Sequence, residues 1–200
     1  MKNQEKIWDI EYKRNAVKWH RETKTLPNLL KSKRVLELGV GNGKTLWAIL
    51  KQKPREIVAI DSSKEAIKQC ERIFAGGRVL FKKSNILHLP FGEGEFDIII
   101  CYYILNNLTE KERISAIREI CRVLKKKGLV IFEDFAAGDF RNIHKKEKKK
   151  NGLYRHFFTG KEIAHLFKDF LKIKLKEKTT KPILHKPELV RKILFGVFEK

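Results

Sequence analysis

The sequence predicts an α/β fold, a mainly parallel sheet with helices on both faces. Three observations lead there. Short, continuous apolar runs alternate with stretches of helical periodicity through most of the 200 residues. The runs are not polar on one side, as strands of a sheet with one wet face would be. The helical stretches carry their own start and stop signals. The length predicts one domain over 1–200.

Residues 1–31 read as a helical preamble, with Trp8, Tyr12, Ala16 and Trp19 at three- and four-residue steps and Pro27 as punctuation. The first apolar run is Val35 to Leu38, followed by a glycine-rich turn and a helix from about Lys44 to Leu50. The second run, Ile57 to Ile60, closes on Asp61. A helix follows with Ala66, Ile67, Cys70, Ile73 and Phe74 on one face; Ser62 and Glu65 have capping-box spacing and Gly76-Gly77 ends it. Val79 to Phe81 and Phe96 to Cys101 read as the third and fourth strands. Thr109 and Glu112 form a second capping box, opening a helix that turns Ile114, Ile117, Cys121 and Leu124 inward and stops at Gly128. Leu129 to Phe132 is the fifth strand.

From Ala136 to Arg155 the pattern lapses into a basic loop, in which Lys145 to Lys150 hold five lysines and one glutamate. Thr159 and Glu162 then cap a helix carrying Ile163, Leu166, Phe167 and Phe170. Leu171, Ile173 and Leu175 alternate with lysines as on a half-buried strand. Leu189 to Phe198 is the last strand, reached through Pro182 and Pro187.

Composition narrows the function. No apolar run approaches the roughly 20 residues of a membrane-spanning helix, so no membrane partner is expected. The opening Met-Lys-Asn-Gln-Glu lacks a signal peptide's apolar stretch. Cys70, Cys101 and Cys121 are odd in number and form no Cys-x-x-Cys pair, which argues against a disulfide framework and a zinc site. A reducing cytoplasm, with no metal, is the expected setting. Lys plus Arg is 45 against 24 Asp plus Glu, a net charge of +21. That points to a polyanionic partner such as RNA or to a lysine-covered surface.

The strongest chemical signal is Glu37-Leu-Gly39-Val-Gly41-Asn-Gly43. A dinucleotide fingerprint would need glycine or alanine at position 44, which is lysine. A phosphate-binding P-loop ending in Gly43-Lys44-Thr45 would need glycine at 38, which is leucine. What remains is a tight turn after a buried strand, suited to close approach of a ligand carrying a ribose and a carboxylate.

Over residues 33–134 the chain resembles the class I S-adenosylmethionine (SAM) dependent methyltransferases, in particular the type 11 group. Val35 to Gly43 resembles that family's first motif and Ile57 to Asp61 its second. The resemblance implies a doubly wound, mainly parallel seven-stranded sheet with an antiparallel C-terminal strand, a Rossmann-like fold. Residues 33–134 would form the cofactor-binding core, 135–158 the basic loop and 159–200 a C-terminal helix and strand pair. It also implies S-adenosyl-L-methionine as cofactor, held by Glu37, Gly39, Gly41, Gly43, Asp61, Ser62, Asn85, Ile86 and Cys101. Asp61 would accept both ribose hydroxyls. Asn85 would meet the adenine amine where the family has aspartate, and Ile86 would offer its backbone N–H. Cys101 would contribute backbone at a strand end. Asp97 and the Cys101 side chain read as structural.

The acceptor should approach over the fourth strand, near Tyr102, Tyr103, Asn106 and Asn107. Asn106-Asn107 stand where many relatives have histidines, and the Asn-Pro-Pro-Tyr string of exocyclic-amine methylation is absent. His88, His144, His156 and His165 are scattered, so no general base is singled out. Tyr154 to Thr159 resembles a segment of the tRNA wobble-uridine carboxymethyl methyltransferases. Three functions follow: methylation of a small molecule, methylation of tRNA, or a non-catalytic RNA-binding or activator subunit on the same fold.

Overall fold

Seven strands form one sheet in the computed structural model, which describes residues 2–15, 26–142, 153–180 and 189–200. They are β1 (Arg34–Leu38), β2 (Glu56–Asp61), β3 (Val79–Lys83), β4 (Phe96–Tyr102), β5 (Leu124–Phe135), β6 (Leu171–Thr180) and β7 (Arg191–Glu199). The helices are α1 (Lys2–Asn15), α2 (Leu46–Lys51), α3 (Lys64–Ile73), α4 (Glu110–Val123) and α5 (Gly160–Leu166). The sheet order is β3-β2-β1-β4-β5-β7-β6. β7 lies antiparallel to both β5 and β6, and the pairings from β3 across to β5 are parallel. This is the expected doubly wound sheet with one antiparallel C-terminal strand.

The central strands are apolar throughout because both faces are covered. On one face Leu36, Val58, Ile99 and Phe132 pack with Ala116 and Ile120 of α4 and Ile163 of α5. On the other, Val35, Ile57, Ile98 and Ile131 pack with Leu46 and Ile49 of α2 and Ile67 of α3. The chain first winds from β1 to β3, then returns to β4 on the far side of β1. That reversal opens a crevice at the carboxyl ends of β1 and β4, the usual ligand position in such sheets.

Several boundaries differ from the sequence expectation. The helix after the glycine turn begins at Leu46, not Lys44. The cap of α3 is Ser63, not Ser62: its Oγ accepts from Ala66 N at 3.1 Å, and Glu65 N donates to Asp9 of α1 at 3.1 Å. That contact spans 56 residues, so local spacing cannot reveal it. Both other capping boxes form, at Thr109/Glu112 and Thr159/Glu162. Yet α4 stops at Val123, before Gly128, because Leu124 pairs with Phe96 as a strand residue. The chain then turns through Lys127, at φ 58°, and rejoins β4 where Leu129 meets Ile98.

On α4, Ile117 is buried but Ile114 is 44% exposed. Ile73 of α3 is likewise exposed. Leu171 and Ile173 are exposed rather than half-buried, since β6 is an edge strand whose register shifts between Lys172 and Lys174. Asp97 is structural as expected, accepting from Arg34 N at 2.8 Å and Lys125 Nζ at 2.7 Å. Ala16, Trp19, His144, Lys145 to Lys150, Pro182 and Pro187 lie outside the described residues. Among the described residues no helix is long and apolar enough to cross a membrane.

Candidate cofactor and acceptor site

The turn after β1 is made possible by its glycines. Gly39, Gly41 and Gly43 have φ of +68°, +55° and +76°, a region other residues enter at a cost. A Cβ at Gly39 would fall 1.9 Å from Ile104 Cδ1, and one at Gly43 would fall 2.3 Å from Phe74 Cε2. The turn is pinned to β2 by Val40 N donating to Ile60 O at 2.8 Å and Gly41 N donating to Asp61 Oδ2 at 2.9 Å. Asp61 Oδ1 accepts from Ser63 N at 2.9 Å. One buried carboxylate therefore joins the glycine turn to the start of α3. Burial raises its pKa to about 6, and the Ser63 and Gly41 N–H donors oppose that rise.

Above these groups lies a cavity of about 830 Å³. Gly39, Gly41, Asp61, Ser62, Asn85 and Ile86 all line it, so the structure brings six of the nine sequence-predicted residues to one place. Helix α1 contributes Trp8 and Tyr12 to the same cavity, their rings stacked 5.8 Å apart. Asp9 holds α1 down by accepting from Ser63 Oγ at 2.5 Å, and Tyr12 O accepts from Gln69 Nε2 at 3.1 Å.

Glu37, Gly43 and Cys101 do not line the cavity. Glu37 is buried on β1 behind the turn; burial pushes its carboxyl well up, against a hydrogen bond with Thr45. Cys101 sits in the sheet between Leu38 and Phe132, and burial pushes its thiol up, which suits an inert packing residue. Asn85 Oδ1 accepts from Leu87 N at 3.0 Å.

The other end of the cavity lies over β4, β5 and β7. Tyr103 has φ 57°, strained for an aromatic residue. Its N–H donates to Glu133 O at 2.7 Å and its hydroxyl to Glu133 Oε1 at 2.7 Å. Asn106 N donates to Asp134 Oδ2 at 3.0 Å, and Asn107 Nδ2 donates to Tyr103 O at 3.0 Å. The Phe135 ring lies 4.9 Å from that of Tyr103, with the Arg141 guanidinium 3.9 Å and the Arg155 guanidinium 5.6 Å from its centroid. Arg141 is braced by the buried Asp139 at 2.6 Å, and burial together with the charge of Arg141 lowers the pKa of Arg155. Arg191 and Ile193 of β7 complete this wall.

Sequence reasoning found Tyr102, Tyr103, Asn106 and Asn107, all of which line the cavity. It missed Glu133, Phe135 and Arg191. A signal for two of them existed: Glu133-Asp134-Phe135 closes an apolar strand at its carboxyl end, where sites in such sheets are built. His88, His156 and His165 do not line the cavity, and His156 pairs with Glu162 at 3.0 Å. Among the described residues no group of three or more His, Cys, Asp or Glu is placed to hold a metal ion.

Residues 35–128 match a family model described as a methyltransferase domain. The chain is 26% identical over 202 residues to the tRNA N(3)-methylcytidine methyltransferase trm140 of Schizosaccharomyces pombe, covering 86% of this chain and 66% of that one. It is 32% identical over 113 residues to the demethylmenaquinone methyltransferase of Lactiplantibacillus plantarum, covering 54% of this chain and 47% of the other. The chain thus spans about half to two thirds of the length of these relatives. A crystal structure of a SAM-dependent methyltransferase from Methanosarcina mazei superposes with a TM-score of 0.74 at 22% identity, covering 89% of this chain and 99% of that one. Residues 35–128 thus match the methyltransferase domain, and the chain shares the fold of SAM-dependent methyltransferases.

Proposed function

We propose that this protein transfers a methyl group from SAM to a nucleoside of tRNA. The observation that carries the acceptor is the group of guanidinium side chains, Arg141, Arg155 and Arg191, on the cavity wall over β5 and β7, with that of Arg141 seated 3.9 Å over the Phe135 ring. Guanidinium groups gathered on one wall suit the phosphates of a nucleic acid. The net charge of +21 and the long alignment with a relative named as a tRNA methyltransferase support the same reading. A tRNA acceptor would place the reaction in the cytoplasm.

The residues present fit the cofactor. Gly39 and Gly41 keep clear a cradle that a Cβ would fill. Gly39, Gly41, Asp61, Ser62, Asn85 and Ile86 face the cofactor, Asp61 accepting from its ribose and Asn85 from its adenine amine. Glu37, Gly43 and Cys101 shape the walls from behind. SAM, when bound, supplies a sulfonium methyl already activated for transfer. The work left to this chain is alignment, which is worth up to about 7–11 kcal/mol in favourable cases. Tyr103, Phe135 and Arg155 orient the acceptor, and Trp8 and Tyr12 help to keep water out.

The direct test is SAM-dependent methyl incorporation into bulk tRNA beside a small-metabolite extract at moderate salt. Label in tRNA supports the proposal. Label confined to the extract refutes the tRNA acceptor and favours a small molecule, for which a cavity of about 830 Å³ falls within the ordinary range. Label in neither, with SAM bound, favours a non-catalytic RNA-binding or activator subunit.

A further inference from the structure

We propose that the outer strand β6 is the track on which the tRNA strand beside the target nucleotide lies, with Lys174 and Lys176 as its phosphate contacts. This rests on the tRNA reading above and adds to it the surface that holds the RNA outside the cavity.

Residues directly opposite each other in an antiparallel pair point to the same side of the sheet. Lys174, Lys176 and Lys178 stand in register with Val197, Phe195 and Ile193 of β7, and Thr180 with Arg191. Phe195 is in turn opposite Glu133 of β5. The three lysines therefore share the face on which Glu133, Ile193 and Arg191 line the cavity. From Lys174 to Lys178 the chain climbs toward the level of Ile193 and Arg191, where Arg141 and Arg155 also line the cavity. The row thus runs along the outermost strand of the sheet to the acceptor end of the cavity.

The charge along this row has one sign. Glu177 is the one acid of β6, and it lies opposite Leu194, which packs on the other face from Phe195. There it meets Lys192 at 3.3 Å. Lys178 is half-buried, its Nζ 3.6 Å from Glu133 Oε2 and 3.9 Å over the Phe195 ring. Burial lowers its pKa, and the charges of Lys176 and Lys174 act in the same direction, against the pull of Glu133. Lys174 and Lys176 are exposed, and among the described residues neither has an acidic partner.

Alternate residues on a strand are about 6.5–7 Å apart, on the scale of the phosphate repeat of a nucleic acid backbone. Two ammonium groups at that interval can take successive phosphates without reading a base. Lys176 stands two strands from Glu133, about 10 Å away at the usual strand spacing. A small acceptor held inside the cavity leaves such a row unused. A polymer that threads one nucleotide into the cavity and trails along the sheet engages it.

The test uses the full chain saturated with S-adenosylhomocysteine and fluorescently labelled bulk tRNA, followed by anisotropy over a range of salt concentrations. Lys174→Gln combined with Lys176→Gln should weaken tRNA binding about 3- to 30-fold at low salt. The slope of log affinity against log salt should fall by about 1.4–1.8. S-adenosylhomocysteine affinity should stay at the wild-type value. Lys64→Gln combined with Lys68→Gln removes the same charge from exposed positions of α3, which packs beside β2 and β3 at the other end of the sheet. That pair should weaken binding less than about two-fold. Equal losses from the two pairs, or no loss from the β6 pair, overturn the track while the tRNA reading stands. Failure of the wild-type chain to bind tRNA overturns both. If the β6 pair does not fold, amine acetylation of the wild-type chain decides. Bound tRNA should shield Lys174 and Lys176 and leave Lys64 and Lys68 reactive, and an absence of that shielding overturns the track.

Discussion

Around β1 and β2 the cavity is walled by the glycine turn, with one carboxylate, Asp61, tying the turn to the next helix. Around β5 and β7 it is walled by side chains, Glu133, Phe135, Arg155 and Arg191, brought from segments up to 58 residues apart in sequence. On the proposed reading the first wall holds SAM, and a glycine turn does that with little freedom to vary. The second would face the acceptor, and side chains there can change without disturbing the strands that carry them. Damage at one end should therefore leave the other working.

The largest expected effect is at the cofactor end. Asp61→Ala removes acceptors for the ribose hydroxyls, each worth about 1.5–3 kcal/mol when the partner is charged. SAM affinity measured by calorimetry should fall about 100-fold or more. An affinity within two-fold of wild type refutes the ribose role. Next comes the acceptor end. Phe135→Ala removes the ring that seats the Arg141 and Arg155 guanidinium groups, an interaction worth about 0.5–2 kcal/mol, so methyl transfer to tRNA should drop roughly 2- to 30-fold. SAM affinity should not move, and a parallel loss of both would break the division between the two walls.

Gly41→Ala should cost less. It places a Cβ at φ +55° and 2.8 Å from the Tyr12 hydroxyl, adding about 1–2 kcal/mol of backbone strain. A lowered Tm and several-fold weaker SAM binding should appear together; an unchanged pair would mean that α1 yields freely. The smallest effect is on pH. Burial raises the Asp61 pKa above its unfolded value, to about 6. The charged form is thus a cost to stability above that pH, relieved as acid protonates it. The same proton removes an acceptor, so SAM affinity should fall by up to about ten-fold between pH 7 and pH 5. Asp61→Asn should flatten that dependence, and a pH profile it leaves intact points to another group.

What the sequence disclosed follows the same division. The glycine turn, Asp61 and two capping boxes are local patterns, each written within a few consecutive residues, and they fold as read. The cap at Ser63 was misplaced by one residue because Asp9, 54 residues earlier, completes it. The end of α4 was misplaced because pairing of Leu124 with Phe96 outweighs the helical pattern. The acceptor wall was half legible. Tyr103 and Asn106 follow an apolar strand directly, whereas Arg191 reaches the cavity only because β7 inserts beside β5. No spacing rule ties residue 191 to residue 39.

The two outer strands of the sheet give part of the lysine excess a different meaning. Among the described residues β3 and β6 each have one side without a strand partner, and they carry exposed apolar residues: Leu80 at 57%, Leu171 at 65% and Ile173 at 53%. Such edges are templates for stacking one molecule on another. Lys82 and Lys83 close β3, while Lys172, Lys174 and Lys176 recur every second residue along β6. Like charges at that interval repel a second copy of the same edge. Beyond any attraction for a polyanion, these lysines would work against association of folded chains through their edges.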